Sequence, residues 1–353
     1  MKHAPCLLLM PLLLLSNLRA EKPISYDPLK VSAVPIVSQT FETTDAKRER
    51  TLPLRVYFPE SKAAAPVILF SHGLGGSRDN NPYLGNHWAG RGYVVVFVQH
   101  PGSDESVWKS KPALQRMTAM KQAASFANVT ARGGDISFVI DTLTQWNAQP
   151  GHPLHQRLNL EKIGMSGHSF GANTTQSVAG QKFPMVRVNF TEPRISAALM
   201  MSPGPPAMGD PAVAFGQIRI PCLLMTGTLD DSPIGKQTPA DRLKVFPHLK
   251  QAPAWQVVFD GADHMDFGQR NLRGKTIENT RYHRAILALG TAFWDAQLKG
   301  KPEALSWLNG AGAKTVLDPK DQWQSNGVAG KNVPSESKKA EPSKAPALSD
   351  RPR

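Results

Sequence analysis

The chain has 353 residues, of which 41% are hydrophobic and 20% charged, with a formal net charge of +13 and two cysteines. That length suits one large α/β domain and little more. Two cysteines exclude a disulfide-stapled scaffold, and the basic balance comes with no recognition motif or interleaved aromatics that would support specific nucleic-acid binding.

In chain order, Lys2-His3 and an apolar run from Cys6 to Leu15, closed by Ala20, read as a signal peptide over residues 1–20. The run is too short to span a bilayer, and cleavage is expected after Ala20. This predicts an exported protein, periplasmic or secreted. Cys6 leaves with the signal and Cys222 falls inside a buried strand, so no internal disulfide is expected.

Residues 21–50 are polar and irregular, an approach segment with one edge strand. The catalytic domain is expected over residues 51–310. It opens with strands at 54–58 and 66–70, a short helix at 87–91, and a β-branched and aromatic run at 93–99 that suits a strand buried on both faces. Residues 101–128 are the least regular part, carrying Trp108, Met117, Met120 and Phe126. They leave the carboxyl end of a strand, where ligands bind in open α/β sheets. This stretch reads either as a partial lid or as a surface helix with a buried stripe. Ile136, Val139, Ile140 and Leu143 stand at helical spacing in an amphipathic crossover helix over 129–146. Further strands are expected at 161–166, 195–201, 221–227 and 255–259, with helices at 172–179 and 280–297. The alternation predicts an α/β fold with a mainly parallel central sheet and helices on both faces. Residues 311–353 read as a disordered basic tail, six Lys or Arg against three acids after residue 330, making at most weak contact with anionic surfaces.

The chemistry concentrates at strand ends. Gly167-His168-Ser169-Phe170-Gly171 lies between a strand and a helix, the context in which G-x-S-x-G forms a nucleophile elbow. A serine hydroxyl needs a base, and the base an orienting carboxylate. Asp230 follows the strand at 221–227 and His264 follows the strand at 255–259, in the order Ser, Asp, His. Asp230 is favoured over Asp231 because it stands three residues after Gly227. After the strand at 66–70, Ser71-His72-Gly73-Leu74-Gly75-Gly76 supplies a turn able to aim a backbone N–H at a developing oxyanion. The first donor is assigned to Leu74, with Gly73 as the alternative, and the second to Phe170, the residue after the nucleophile.

The blocks F-S-H-G-L-G-G, G-H-S-F-G, T-G-T-L-D-D-S-P and G-A-D-H-M-D-F-G resemble the α/β-hydrolase group of platelet-activating-factor acetylhydrolases and dienelactone-hydrolase-like esterases. The resemblance runs from about Leu52 to Leu308. It implies the α/β-hydrolase fold and oxyanion amides on Leu74 and Phe170. Serine in place of the cysteine of dienelactone hydrolases argues against lactone chemistry of that kind. Residues 201–206 lack the tryptophan that cutinase-type polyesterases carry there, which argues against polyester cleavage.

His72 and His168 belong to no metal-ligand cluster of recognised spacing, His100 reads as structural, and Arg132 and Asp135 as an ion pair or helix cap. No cofactor or metal is expected. The sequence therefore predicts an exported serine esterase acting on small-molecule or lipid carboxylic esters, short-acyl ones first, with Ser169, Asp230 and His264 as its triad. The alternatives are a lipase or polyesterase working at an interface, and a hydrolase-fold binding protein without turnover.

Overall fold

The structure, a computed structural model, describes residues 26–183, 186, 188–206, 208–269 and 280–327. The expected signal peptide and the end of the chain from residue 328 lie outside the described residues. In chain order the elements are β1 (Val37–Asp45), β2 (Arg50–Phe58), β3 (Ala65–Ser71), α1 (Pro82–Gly90), β4 (Val94–Val98), α2 (Ser106–Lys109), α3 (Ala113–Ala123) and α4 (Phe126–Ala148). There follow β5 (Leu158–His168), α5 (Phe170–Ala179), β6 (Ile195–Met201), α6 (Pro211–Phe215), β7 (Cys222–Leu229), α7 (Pro239–Arg242), β8 (Ala254–Asp263), α8 (Arg281–Gln297), α9 (Pro302–Asn309) and β9 (Gln322–Ser325).

The strands among the described residues form one sheet in the order β1-β2-β4-β3-β5-β6-β7-β8-β9. From β4 to β8 every neighbour is parallel; β1 with β2, β2 with β4 and β8 with β9 are antiparallel. The inner stretches of the parallel strands are mostly apolar because successive side chains point to opposite faces and both faces are covered. Ile68 and Phe70 of β3 face one core with Trp88 of α1 and Ile286, Leu289 and Phe293 of α8. Val67 and Leu69 face the other, against Ile136, Val139, Ile140 and Leu143 of α4. Trp88 and Trp294 meet edge to face, ring centroids 5.9 Å apart at 89°, and burying each such side chain is worth about 2–3 kcal/mol. All the parallel strands point their carboxyl ends to one edge of the sheet. Residues from loops far apart in sequence converge there.

Three expectations need correction. The short helix at 87–91 begins earlier, at Pro82, whose fixed φ and missing N–H suit the first helical turn. Residues 101–128 hold α2, α3 and the start of α4; the surface helix offered for them is there as α3, but without its buried stripe, since only Ala123 of α3 is buried. The tail expected from residue 311 starts too early. Its Gln322–Ser325 stretch pairs with β8, Trp255 opposite Ser325 and Val258 opposite Gln322, and Trp323 donates its indole N–H to the Leu308 carbonyl at 3.2 Å. Trp323 packs against the core and Gln324 donates to Gln256 Oε1 at 2.8 Å, so a polar four-residue segment extends the sheet by one strand.

Candidate active site

β5 runs into α5 through Ser169, whose φ of 57° and ψ of −116° place a non-glycine residue in a strained backbone region, at a cost of about 1–3 kcal/mol. The surroundings enforce it. The Ser169 N–H donates to the Met201 carbonyl of β6 at 2.9 Å, and its carbonyl accepts from the Asn173 N–H of α5 at 3.1 Å. Both flanking glycines are required for space. A Cβ on Gly167 would overlap the Gly171 carbonyl, and one on Gly171 would overlap the carbonyl of Ser71 at the end of β3.

β7 and β8 bring the partners. The pairing register shifts between Gly227 and Leu229, a bulge of the kind that re-aims side chains at a sheet end, and Asp230 follows directly. His264 leaves the end of β8 in a turn held by Asp266, which accepts from the Asp263 N–H at 2.8 Å, and by Asp263, which accepts from the Met265 N–H at 2.7 Å. His264 Nδ1 lies 2.6 Å from Asp230 Oδ1 and Nε2 lies 2.8 Å from Ser169 Oγ. An ionised carboxylate only accepts, so Nδ1 carries the proton and Nε2 is left to accept from the serine hydroxyl. Asp231 is exposed and Asp230 fully buried; of the two carboxylates, Asp230 is the one in contact with His264.

Burial alone would raise the Asp230 pKa. The hydrogen bond from His264, the nearby Arg242 charge and the Thr226 hydroxyl outweigh it and hold the carboxyl below its usual range. Thr226 Oγ1 donates to Asp230 Oδ2 at 2.8 Å. His168 sits against His264, ring centroids 4.8 Å apart. Burial pushes its pKa down to about 3, so it stays neutral and adds no positive charge beside the imidazole.

The loop after β3 passes close to the serine: a Cβ built on Gly73 would lie 3.5 Å from Ser169 Cβ. The Gly73 carbonyl accepts from His72 Nδ1–H at 2.6 Å and from the Gly76 N–H at 3.1 Å. A trans peptide points its C=O and N–H in opposite directions, so the Leu74 N–H is turned away from those donors. The Phe170 N–H opens α5, where first-turn amides have no intrahelical acceptor and the helix dipole is positive. Among the described residues, neither amide donates to a protein acceptor. α2 and α3 lie over this loop, Trp108 donating its indole N–H to the Gly75 carbonyl at 2.8 Å, with Met120 against Gly75.

Sequence reasoning missed Arg242 and Thr226, which meet Asp230 only through the fold, and it read Ser71, His100 and Asp135 as separate residues. The structure aligns those three beneath the loop. Ser71 Oγ donates to His100 Nε2 at 2.9 Å, and His100 Nδ1 donates to Asp135 Oδ2 at 3.0 Å. All three are buried, so this second Ser-His-Asp line has no access to a substrate. Asp135 pairs with Arg48 at 2.9 Å and Arg50 at 2.8 Å rather than with Arg132. Cys222 is buried in β7 with its thiol pushed up to about 12 by desolvation, and it is inert as a nucleophile. Among the described residues, no group of three or more His, Cys, Asp or Glu side chains could hold a metal ion, and no helix is long and apolar enough to cross a membrane.

The fold is shared with proteins of known structure. A ferulic acid esterase from Streptomyces cinnamoneus superposes with a TM-score of 0.55 at 20% identity, over 78% of this chain and 94% of that one. The chain is an α/β-hydrolase by fold. The X-Pro dipeptidyl-peptidase (S15) family matches this chain over residues 50–201. That span holds Leu74 and Ser169 and ends before Asp230 and His264. No curated protein matches the sequence.

Proposed function

We propose that this α/β-hydrolase is a serine esterase. The observation that carries the reading is the unbroken hydrogen-bonded line from Asp230 through His264 to Ser169, beside two amides with no protein acceptor. In the proposed reaction Ser169 Oγ attacks the ester carbonyl carbon while its proton passes to His264 Nε2. The carbonyl oxygen becomes an oxyanion facing the Leu74 and Phe170 amides, in the arrangement that typically contributes about 2.7–4 kcal/mol per donor. The C–O bond to the alcohol then breaks, and the alcohol leaves with the proton from His264. Water attacks the acyl-enzyme, giving a proton to His264. Collapse releases the carboxylic acid and returns that proton to Ser169. Asp230 holds the imidazole in the required tautomer and stabilises the imidazolium.

An ester rather than an amide substrate is supported by the ferulic acid esterase neighbour, whose name places it among ester-cleaving proteins. A short acyl group is favoured by the resemblance to acetylhydrolases and by Trp108 and Met120 standing over the loop beside Leu74. Export is proposed from the amino-terminal sequence.

The test is hydrolysis of p-nitrophenyl esters from acetate to palmitate beside Ser169→Ala. Short-chain preference abolished by the substitution is the expected result. Long-chain preference with interfacial activation would replace this reading by a lipase or polyesterase. Turnover of X-Pro amides in preference to esters would move it to a peptidase. A folded protein inert toward both classes would leave a binding protein.

A further inference from the structure

We infer that Arg132 is a positioning residue for the oxyanion site: its buried guanidinium holds both the Gly73-Leu74 turn and Phe170 where the carbonyl oxygen gains charge. The inference rests on the esterase reading above.

Arg132 lies in α4 and is 1% exposed. Among the described residues it makes no ion pair, because the carboxylate one turn away, Asp135, is committed to Arg48, Arg50 and His100. A buried cation without a carboxylate is costly and calls for a reason. Its hydrogen bonds run to neutral oxygens: Nη1 to the His72 carbonyl at 2.7 Å and Ser71 Oγ at 3.4 Å, Nε to Ser103 Oγ at 2.8 Å, and Nη2 to the Ser103 carbonyl at 3.4 Å.

These contacts reach both halves of the oxyanion site. The guanidinium carbon stands 4.6 Å from the centroid of the Phe170 ring, a cation–π contact on the residue whose amide opens α5. On the other side it fixes His72. The His100 N–H donates to His72 Nε2 at 3.1 Å, so Nε2 is unprotonated and Nδ1 carries the hydrogen given to the Gly73 carbonyl. The 3.3 Å approach of Arg132 Nη2 to Nδ1 is therefore a contact between two donors, not a hydrogen bond. His72 is kept neutral by burial and by the Arg132 charge, which push its pKa well down. Arg132 thus fixes the His72 carbonyl, while the His100 N–H sets the tautomer that aims Nδ1–H at the Gly73 carbonyl and leaves the Leu74 N–H turned away from it. Burial lowers the Arg132 pKa only to about 9, so the charge persists at neutral pH. In the resting protein that charge donates hydrogen bonds to neutral oxygens only, with Asp135 and Asp104 near but not paired to it. Holding the two donors where charge develops favours the tetrahedral species over the ground state.

The experiment compares wild type, Arg132→Met and Arg132→Lys with p-nitrophenyl butyrate, measuring kcat and KM, inhibition by a trifluoromethyl ketone that forms a tetrahedral adduct, and Tm. Arg132→Met is expected to lower kcat about 10²-fold, near the effect of losing one oxyanion donor, with KM within about twofold. The ketone's affinity should fall by a similar factor, and Arg132→Lys should recover part of both losses. Wild-type kcat in folded Arg132→Met, or a lower kcat with unchanged ketone affinity, overturns the inference. If Arg132→Met does not fold, Arg132→Lys carries the test alone: kcat and ketone affinity should both fall part of the way, and wild-type values for either overturn the inference. Ser169→Ala, run alongside, reports on the esterase reading separately. Loss of turnover there with full activity in Arg132→Met defeats this inference alone, whereas full turnover in Ser169→Ala defeats both.

Discussion

Arg242 Nε lies 3.5 Å from Asp230 Oδ1 and donates at 3.3 Å to the carbonyl oxygen of the same residue. One buried cation thus holds the side chain and the backbone of the carboxylate that faces His264. Its Nη1 reaches the carbonyls of Ser202 and Pro203 at 3.1 and 3.2 Å, which ties the loop after β6 to the end of β7.

Removing that cation leaves a buried carboxylate short of compensation. Arg242→Met is expected to destabilise the protein by about 3–5 kcal/mol and to lower kcat by at least about tenfold. Urea unfolding and steady-state kinetics on the same preparation check both. Unchanged stability would show that His264 and Thr226 alone satisfy Asp230.

The two adjacent carboxylates separate cleanly. Asp230→Asn removes the acceptor that fixes Nδ1–H, and kcat should fall about 10⁴-fold. Asp231→Asn changes an exposed side chain and should stay within about twofold. The reverse ranking would reassign the acid.

Acid should destabilise the fold well above the carboxylate range. Burial depresses the imidazoles of His72, His100 and His168, to about 4 for His100 and about 3 for His168, whereas unfolded histidine protonates near 6.5. The folded pKa lies below the unfolded one and the neutral form is the native one. Each contribution is therefore complete above pH 6.5 and is lost as pH falls through 6.5 toward the folded value. The slope is about 1.4 kcal/mol per pH unit for each histidine. Asp135, Asp230 and Asp295, also depressed in the fold, add their loss only below about pH 4. Urea midpoints should be level from pH 7.5 to 6.5 and fall from there to pH 5, and His168→Gln should lessen that slope by one histidine's share, His87 and His152 being depressed by burial as well. A level profile over that range would contradict the burial of neutral imidazoles.

The corrected end of the domain is testable by truncation. A chain ending at Gly310 loses the β8–β9 pairing, Trp323 and the buried Ala313. Relative to one ending at Gly327, it should lose about 3 kcal/mol or more in urea. Equal stability would return the boundary to residue 310.

The parts of the site that were legible in the sequence obey local rules. Gly167 and Gly171 are demanded by sterics within a five-residue turn, and Asp230 and His264 each follow an apolar run whose carboxyl end must reach the same sheet edge. The unread parts depend on distant chain. Arg242 stands in a polar stretch with nothing to mark it, and His100 meets Ser71 and Asp135 only because β3, β4 and α4 are neighbours. The surface helix offered as one reading of residues 101–128 is found in α3, whose Ala, Leu, Gln, Met and Lys content is helix-forming, but its buried stripe is not: of the eleven residues only Ala123 is buried. β9 was missed because four residues cannot display a period.

The contact of Gly171 with the Ser71 carbonyl has a consequence for how such a protein can change. The elbow and the strand preceding the oxyanion loop touch without an intervening side chain, so neither can shift without the other, and a substitution there is paid in chemistry. The solvent side of α3 and the end of β7 are free of that constraint: Leu114, Met117 and Leu229 are all at least 49% exposed, and surface side chains of this kind tolerate replacement at little thermodynamic cost. Under the proposed function, new substrate preferences are therefore most accessible by drift along α3 and the end of β7, over an elbow that inheritance must leave alone.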